Sequence, residues 1–182
     1  MLVPTARSAP APMASITRSD PSAAWEMTRD AALTRVRPML RFLTDTAPRH
    51  RGFLYHFMEL DSGARAWNCE ISPIDTSLFL VGALVAREYF ADPAITELVN
   101  RFYARLDWPW FLNDGETLAS SWRPETGFSR YRWRAYSEHL MMSLLALGSP
   151  THPLPEKFWH DWKRAPALTY GGRHFLAAGP LF

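Results

Sequence analysis

Residues 52–86 read GFLYHFMELDSGARAWNCEISPIDTSLFLVGALVA, and the fold turns on where this stretch changes character. Phe53, Tyr55 and Phe57 alternate with Leu54, His56 and Met58, and Asp61-Ser62-Gly63 is a turn signal. A period of two followed by that turn and by Arg65-Ala66-Trp67 predicts a short two-stranded hairpin. Ser72, Pro73 and Asp75 then spell a helix start: an N-cap, a first-turn proline and an acid at the third position. From Leu78 to Ala86 the chain is apolar on every side, which predicts a helix buried all round. The junction between the two patterns carries Trp67, Asn68, Cys69, Glu70, Ser72 and Asp75. An aromatic-then-acid junction before an apolar helix recurs at Trp133, Tyr136, Ser137 and Glu138.

Working outward, residues 1–26 are rich in Pro, Ala and Ser and predict a flexible tail, because such a composition buries too little surface to offset its ordering entropy. The remainder, 27–182, reads as one domain. Thr28 is placed to cap a helix with Asp30 in its first turn and Leu33, Val36, Leu40 and Leu43 on one stripe. Pro38 inside that pattern predicts a kink or a restart. Ile95, Leu98, Val99, Phe102 and Leu106 form a second clean stripe after an Asp92-Pro93 turn. Residues 107–134 form a long, Trp-rich segment, and a loop of that length in a compact domain is usually functional. An apolar helix is expected over 137–147, an amphipathic one over 155–164, and a short hairpin around Gly171-Gly172. Amphipathic helices therefore alternate with helices that are apolar all round. That order predicts an all-α, (α/α)6-type toroid of inner and outer helices, left incomplete by its five helices, with short β-hairpins in the loops. The exposed inner helices of an open ring predict self-association.

The composition narrows the function. A net charge of +2 with well-mixed acids and bases argues against nucleic acid. No apolar run approaches a membrane span, and no export signal is visible, which leaves the cytoplasm as the default unless more sequence precedes Met1. The single cysteine, Cys69, excludes an intramolecular disulfide and reads as a small packed side chain. His56, His139 and His152 show no ligand spacing with a carboxylate, so neither a metal nor any other cofactor is expected.

GFLYHFMELDSGARAWNCEISPIDTSLFLVGAL, RLDWPWFLNDGETLASSWRPETGF, YSEHLMMSLLALGSPTHPLP and YGGRHFLAAGPLF together resemble the bacterial glucoamylase-like domain family, which includes endo-β-1,2-glucanases. The resemblance runs from Thr28 to Phe182 and implies a glycoside hydrolase architecture and a β-linked glucan ligand, an oligo- or polysaccharide. Family members are more than twice this length, which makes the chain resemble a truncated form. They continue past a Pro-Leu-Phe such as 180–182, and a Ser is usual where this sequence has Cys69.

Hydrolysis of a glycosidic bond needs two carboxylates. The catalytic candidates are Glu70, Glu138 and Asp75. Their plainer roles are a loop hydrogen bond for Glu70, a helix N-terminal charge for Glu138 and a reciprocal cap for Asp75. Trp67, Trp122 and Tyr136 are candidates for stacking on sugar rings, with loop packing as the alternative, and Glu125 in its Pro-Glu-Thr-Gly turn is a candidate ligand contact. Two classes of function stay open: a glycoside hydrolase using two carboxylates, and a non-catalytic carbohydrate-binding or interaction remnant. A second chain completing the ring is a third arrangement. With so much of a cleft missing, no measurable turnover is expected from this chain alone.

Overall fold

The computed structural model describes residues 27–164 and 166–176, together with a two-residue strand at Leu2–Val3. The tail expected over 1–26 and the C-terminal 180–182 segment lie otherwise outside the described residues. Five α-helices are described: α1 (Arg29–Arg41), α2 (Pro73–Phe90), α3 (Pro93–Ala104), α4 (Trp108–Leu112) and α5 (His139–Leu147). The strands are short: β1 (Leu2–Val3), β2 (Arg49–His50), β3 (Phe53–Leu54), β4 (Met58–Glu59), β5 (Trp122–Arg123), β6 (Gly127–Phe128), β7 (Ala167–Tyr170) and β8 (Arg173–Leu176). Hairpins β2–β3, β5–β6 and β7–β8 are antiparallel, β1 lies parallel to β4, and among the described residues no sheet exceeds two strands. The last hairpin turns at Gly171 and Gly172, both with positive φ, as its sequence predicts.

Local chemistry sets the helix ends. The Thr28 hydroxyl accepts from the Ala31 amide, the Ser72 hydroxyl from that of Asp75, and the Asp92 carboxylate from that of Ile95. Pro73 and Pro93 occupy first-turn positions, where a missing N–H costs nothing. Helix α1 runs through Pro38 without ending. The chain departs from α geometry a few residues later, in a π turn over Phe42–Thr46. That wider turn frees carbonyls, and Arg105 donates to the Thr44 oxygen at 2.5 Å while Arg49 donates to that of Ala47 at 3.0 Å.

Helix α2 packs on α1, α3 and α5, and α1 also packs on α3, so α2 and α5 are neighbours with α1 and α3 as cover. Every residue of the predicted α3 stripe is buried. The 107–134 segment is less of a loop than its sequence suggests. Trp108 and Phe111 of α4 are fully buried and meet Phe53 edge-on at 5.0 and 4.6 Å, tying the segment to β3. Gly52 makes that approach feasible: a Cβ there would lie 2.2 Å from the Arg105 carbonyl oxygen, and its φ is +90°. The amphipathic helix expected over 155–164 is a single 3-10 turn, Glu156–His160, with Phe158 and the nearby Trp162 buried.

A further expectation is overturned. Helix α2 is not buried all round: Leu78 is 47% exposed, Val85 63% and Tyr89 67%, along one face that also carries Gly82, while Leu80 is fully buried. Leu144 of α5 is exposed as well, above an apolar depression of about 340 Å³ lined by Val81, Leu140, Met141, Leu144 and Leu145. Apolar composition reports what a helix is able to bury, and here no described residue covers this face. The two sides of α2 should therefore respond differently to truncation. Leu80→Ala should destabilise the chain by about 2–5 kcal/mol, whereas Val85→Ser should stay within about 0.5 kcal/mol. Denaturant unfolding of both variants checks this, and a large loss in Val85→Ser would show the face to be covered in solution.

Candidate functional site

The junction between hairpin and helix is an irregular ribbon. Residues 54–58 run antiparallel to 65–72 through a Tyr55–Ile71 bridge, a Met58–Arg65 bridge, and bonds from the His56 amide to the Glu70 carbonyl and from the Ser72 amide to that of Leu54. The tight turn expected at Asp61-Ser62-Gly63 closes it, and Gly63 is required because a Cβ would collide with the Phe42 ring. The Leu54 amide donates to Thr76 Oγ1 at 3.0 Å, which fixes the ribbon to the first turn of α2. On the other edge, Ile71 and Trp122 exchange backbone bonds of 2.8 and 3.2 Å, so hairpin β5–β6 continues the ribbon.

Cys69 is buried, and its thiol accepts from the Phe57 amide and donates to the Phe57 carbonyl, both at 3.2 Å. A serine hydroxyl has the same donor and acceptor capacity. The thiol is a structural clip.

This scaffold brings Glu70 and Asp75 to one imidazole. His56 Nδ1 lies 2.9 Å from Glu70 Oε1, and His56 Nε2 lies 3.5 Å from Asp75 Oδ2. The other Glu70 oxygen accepts from Arg123 at 2.6 Å. Partial burial raises the Glu70 pKa, but the hydrogen bonds from His56 and Arg123 outweigh it and leave the carboxyl below its usual range. Asp75 takes a hydrogen bond from the Ser72 hydroxyl while its own amide donates back to that oxygen, which is the Ser72 half of the reciprocal cap its spacing suggested; the Ser72 amide donates to Leu54 instead. Its carboxylate thus serves the helix start and faces His56 together.

Trp67 is 68% exposed, with its ring tilted at 5.3 Å against Phe57, which in turn stacks on His56 at 3.9 Å. Glu125 turns both oxygens to Arg65, at 2.5 and 3.0 Å. Trp122 is half-buried, stacked on His50 at 4.2 Å and edge-on to Trp110 at 5.3 Å.

Tyr136 and Glu138 belong to a second cluster. The Tyr136 ring lies parallel to Trp162 at 6.1 Å, and its amide donates to the Lys163 carbonyl. Glu138 is half-buried at the start of α5 and has no hydrogen-bond or ion-pair partner among the described residues. No hydrogen bond or ion pair of the described residues links it to Glu70 or Asp75. Beside it, His139 is fully buried and shares a 2.9 Å hydrogen bond with the Ser137 hydroxyl. Arg65, Arg123 and His56 were missed as site residues. The hairpin register held the signal for His56, since pairing Tyr55 with Ile71 sets His56 opposite Glu70. Among the described residues, no cluster of His, Cys, Asp and Glu could hold a metal, and no helix is long and apolar enough to cross a membrane.

The fold resembles that of solved proteins across most of the chain. A protein from Bacteroides caccae, described as a "putative glucoamylase", aligns with a TM-score of 0.74 at 24% identity, over 86% of this chain and 42% of its own. A Bacteroides uniformis protein of the same description gives 0.75 at 20% identity, over 85% and 41%. The endo-β-1,2-glucanase from Chitinophaga pinensis, solved with sophorotriose and glucose, gives 0.65 at 23% identity, over 82% and 39%. The fold is glucoamylase-like. In sequence, the family described as "Putative glucoamylase" matches residues 130–182, and no curated protein matches the chain. The glucoamylase-like architecture makes the alternating helices part of an α/α toroid, of which this chain spans about two fifths of the length of the structures it matches.

Burial, with Arg164 nearby, pushes the His139 imidazole from 6.5 down to about 4. Between those values the unfolded chain holds the extra proton, so stability falls as pH falls. The loss attributable to His139 should reach up to about 3 kcal/mol between pH 6.5 and 4. It should be missing from His139→Gln, as unfolding curves across that pH range would show.

Proposed function

We propose that this chain carries a carbohydrate site that binds, and in a complete cleft hydrolyses, a β-linked glucan of the β-1,2 type. The observation that carries the reading is the exposed Trp67, packed on Phe57, whose ring stacks on the His56 of the Glu70–His56–Asp75 array at the start of α2. An indole offers a flat apolar face to the C–H face of a pyranose, and the ionised carboxylate accepts from its hydroxyls. The likeness to a fold solved with sophorotriose supports the ligand class.

In the hydrolytic reading Glu70 is the base or hydroxyl acceptor, because His56 and Arg123 favour its ionised form. Glu138, at the start of α5, is the second carboxylate of the pair that hydrolysis needs. Asp75 orients His56 and through it Glu70, while Trp122 and Tyr136 border the two clusters. The second reading is binding without turnover, favoured by the partners that already engage the Glu70 carboxylate, His56 at 2.9 Å and Arg123 at 2.6 Å.

Titration with sophorotriose and assay against β-1,2-glucan test both readings. Sophorotriose should bind, and Trp67→Ala should weaken it by about tenfold or more. If turnover occurs, Glu70→Gln and Glu138→Gln should each lower it on the order of a thousandfold, about 4 kcal/mol of transition-state stabilisation, with far smaller changes in binding. Absence of binding, or binding indifferent to Trp67→Ala, would reject the site. Turnover untouched by either amide would reject the carboxylate roles alone.

A further inference from the structure

We propose that Arg65 is the positioning residue of this site, a latch that ties the Trp67 turn to the tip of hairpin β5–β6 and so presents the indole as a preset platform. The inference rests on reading Trp67 as a sugar-stacking surface, but the latch has a readout that needs no sugar.

The backbone sets the problem. Trp67 and Asn68 have φ of 49° and 51°, two successive non-glycine residues in the left-handed region, closed by a 3.0 Å bond from the Cys69 amide to the Ala66 carbonyl. Each such residue is strained, and the strain persists only where surrounding contacts over-determine it. Trp67 does not supply those contacts, since most of its surface faces water. Arg65 does. Its Nε donates to the Cys69 carbonyl at 2.6 Å and its Nη2 to the Asn68 carbonyl at 2.8 Å. Nη1 and Nη2 also grip Glu125 with both its oxygens, and the guanidinium lies 4.9 Å from the centre of the Tyr55 ring. The carbonyls it holds belong to the two residues directly after Trp67. A lysine, a point charge on a flexible stem, cannot reproduce this planar fork.

Glu125 sits at the turn of β5–β6, so the pair joins two loops that are distant in sequence. The Arg65 hydrogen bond also holds the Glu125 carboxyl down at about 2, so the latch stays closed through mildly acidic conditions. An indole fixed before the ligand arrives loses less freedom on binding.

The test compares wild type, Arg65→Met, Glu125→Gln, Trp67→Ala and Arg65→Met/Trp67→Ala in the full chain. The ligand-free readout is the NMR relaxation of the Trp67 indole N–H, assigned by its loss in Trp67→Ala. Arg65→Met should make this group flexible on the ps–ns timescale, with Glu125→Gln in between. The binding readout is sophorotriose titration. Arg65→Met should weaken binding by about tenfold in the wild-type background and leave it unchanged in the Trp67→Ala background, since a latch acts only through the indole. An indole as rigid in Arg65→Met as in wild type would overturn the proposal. So would an equal loss of affinity in both backgrounds. If Arg65→Met fails to fold, Glu125→Gln carries the same test, and an unchanged indole there overturns the latch. Wild type failing to bind sophorotriose would reject the glucan reading and leave the relaxation result to judge the latch alone.

Discussion

Two backbone hydrogen bonds exchanged between Ile71 and Trp122 hold the site together. Ile71 is fully buried and lies between the residue that carries the Glu70 carboxylate and the Ser72 cap of α2. Trp122 opens hairpin β5–β6. Once these residues pair, Arg123 falls opposite Glu70, so that ion pair follows from the register, while Arg65 reaches Glu125 across the turn of the hairpin. A partly exposed ion pair contributes little stability on its own. Its value here is geometric: each pair fixes the orientation of a side chain or loop that the backbone bonds have already brought near.

The helical part of the fold was legible wherever the signal was local. The Thr28 and Ser72 caps and the α3 stripe depend on residues three or four apart, and each lies where the sequence puts it. The π turn after α1 was not legible, because the arginines that satisfy its carbonyls include Arg105, far along the chain. Helix α4 was hidden in a Trp-rich segment whose turn residues outweighed a five-residue helical pattern. The exposure of Leu78, Val85 and Tyr89 was hidden for a different reason. An apolar side chain shows an affinity for burial, and only its neighbours decide whether burial occurs.

The candidate site was legible in its parts rather than in its wiring. Glu70, Asp75 and Trp67 stand out because they interrupt a hydrophobic stretch at a helix start; the structure brings Glu70 and Asp75 to His56, and Trp67 to the Phe57 ring stacked on it. Glu138 and Tyr136 repeat the pattern but occupy a cluster of their own, with Ser137, His139 and Trp162. The long-range partners Arg65 and Arg123 carried no local mark, since an arginine in a loop looks the same in sequence whether it meets water or a carboxylate.

The joining of the 53–72 ribbon to hairpin β5–β6 is the central claim, and native-state hydrogen exchange of the Ile71 and Trp122 amides tests it most directly. The account predicts that both amides are protected and open together with the same free energy, because each is bonded to the other's carbonyl. A protected Ile71 beside a Trp122 amide exchanging as fast as the exposed turn at 124–126 would contradict it, for the hairpin would then not be held against the ribbon.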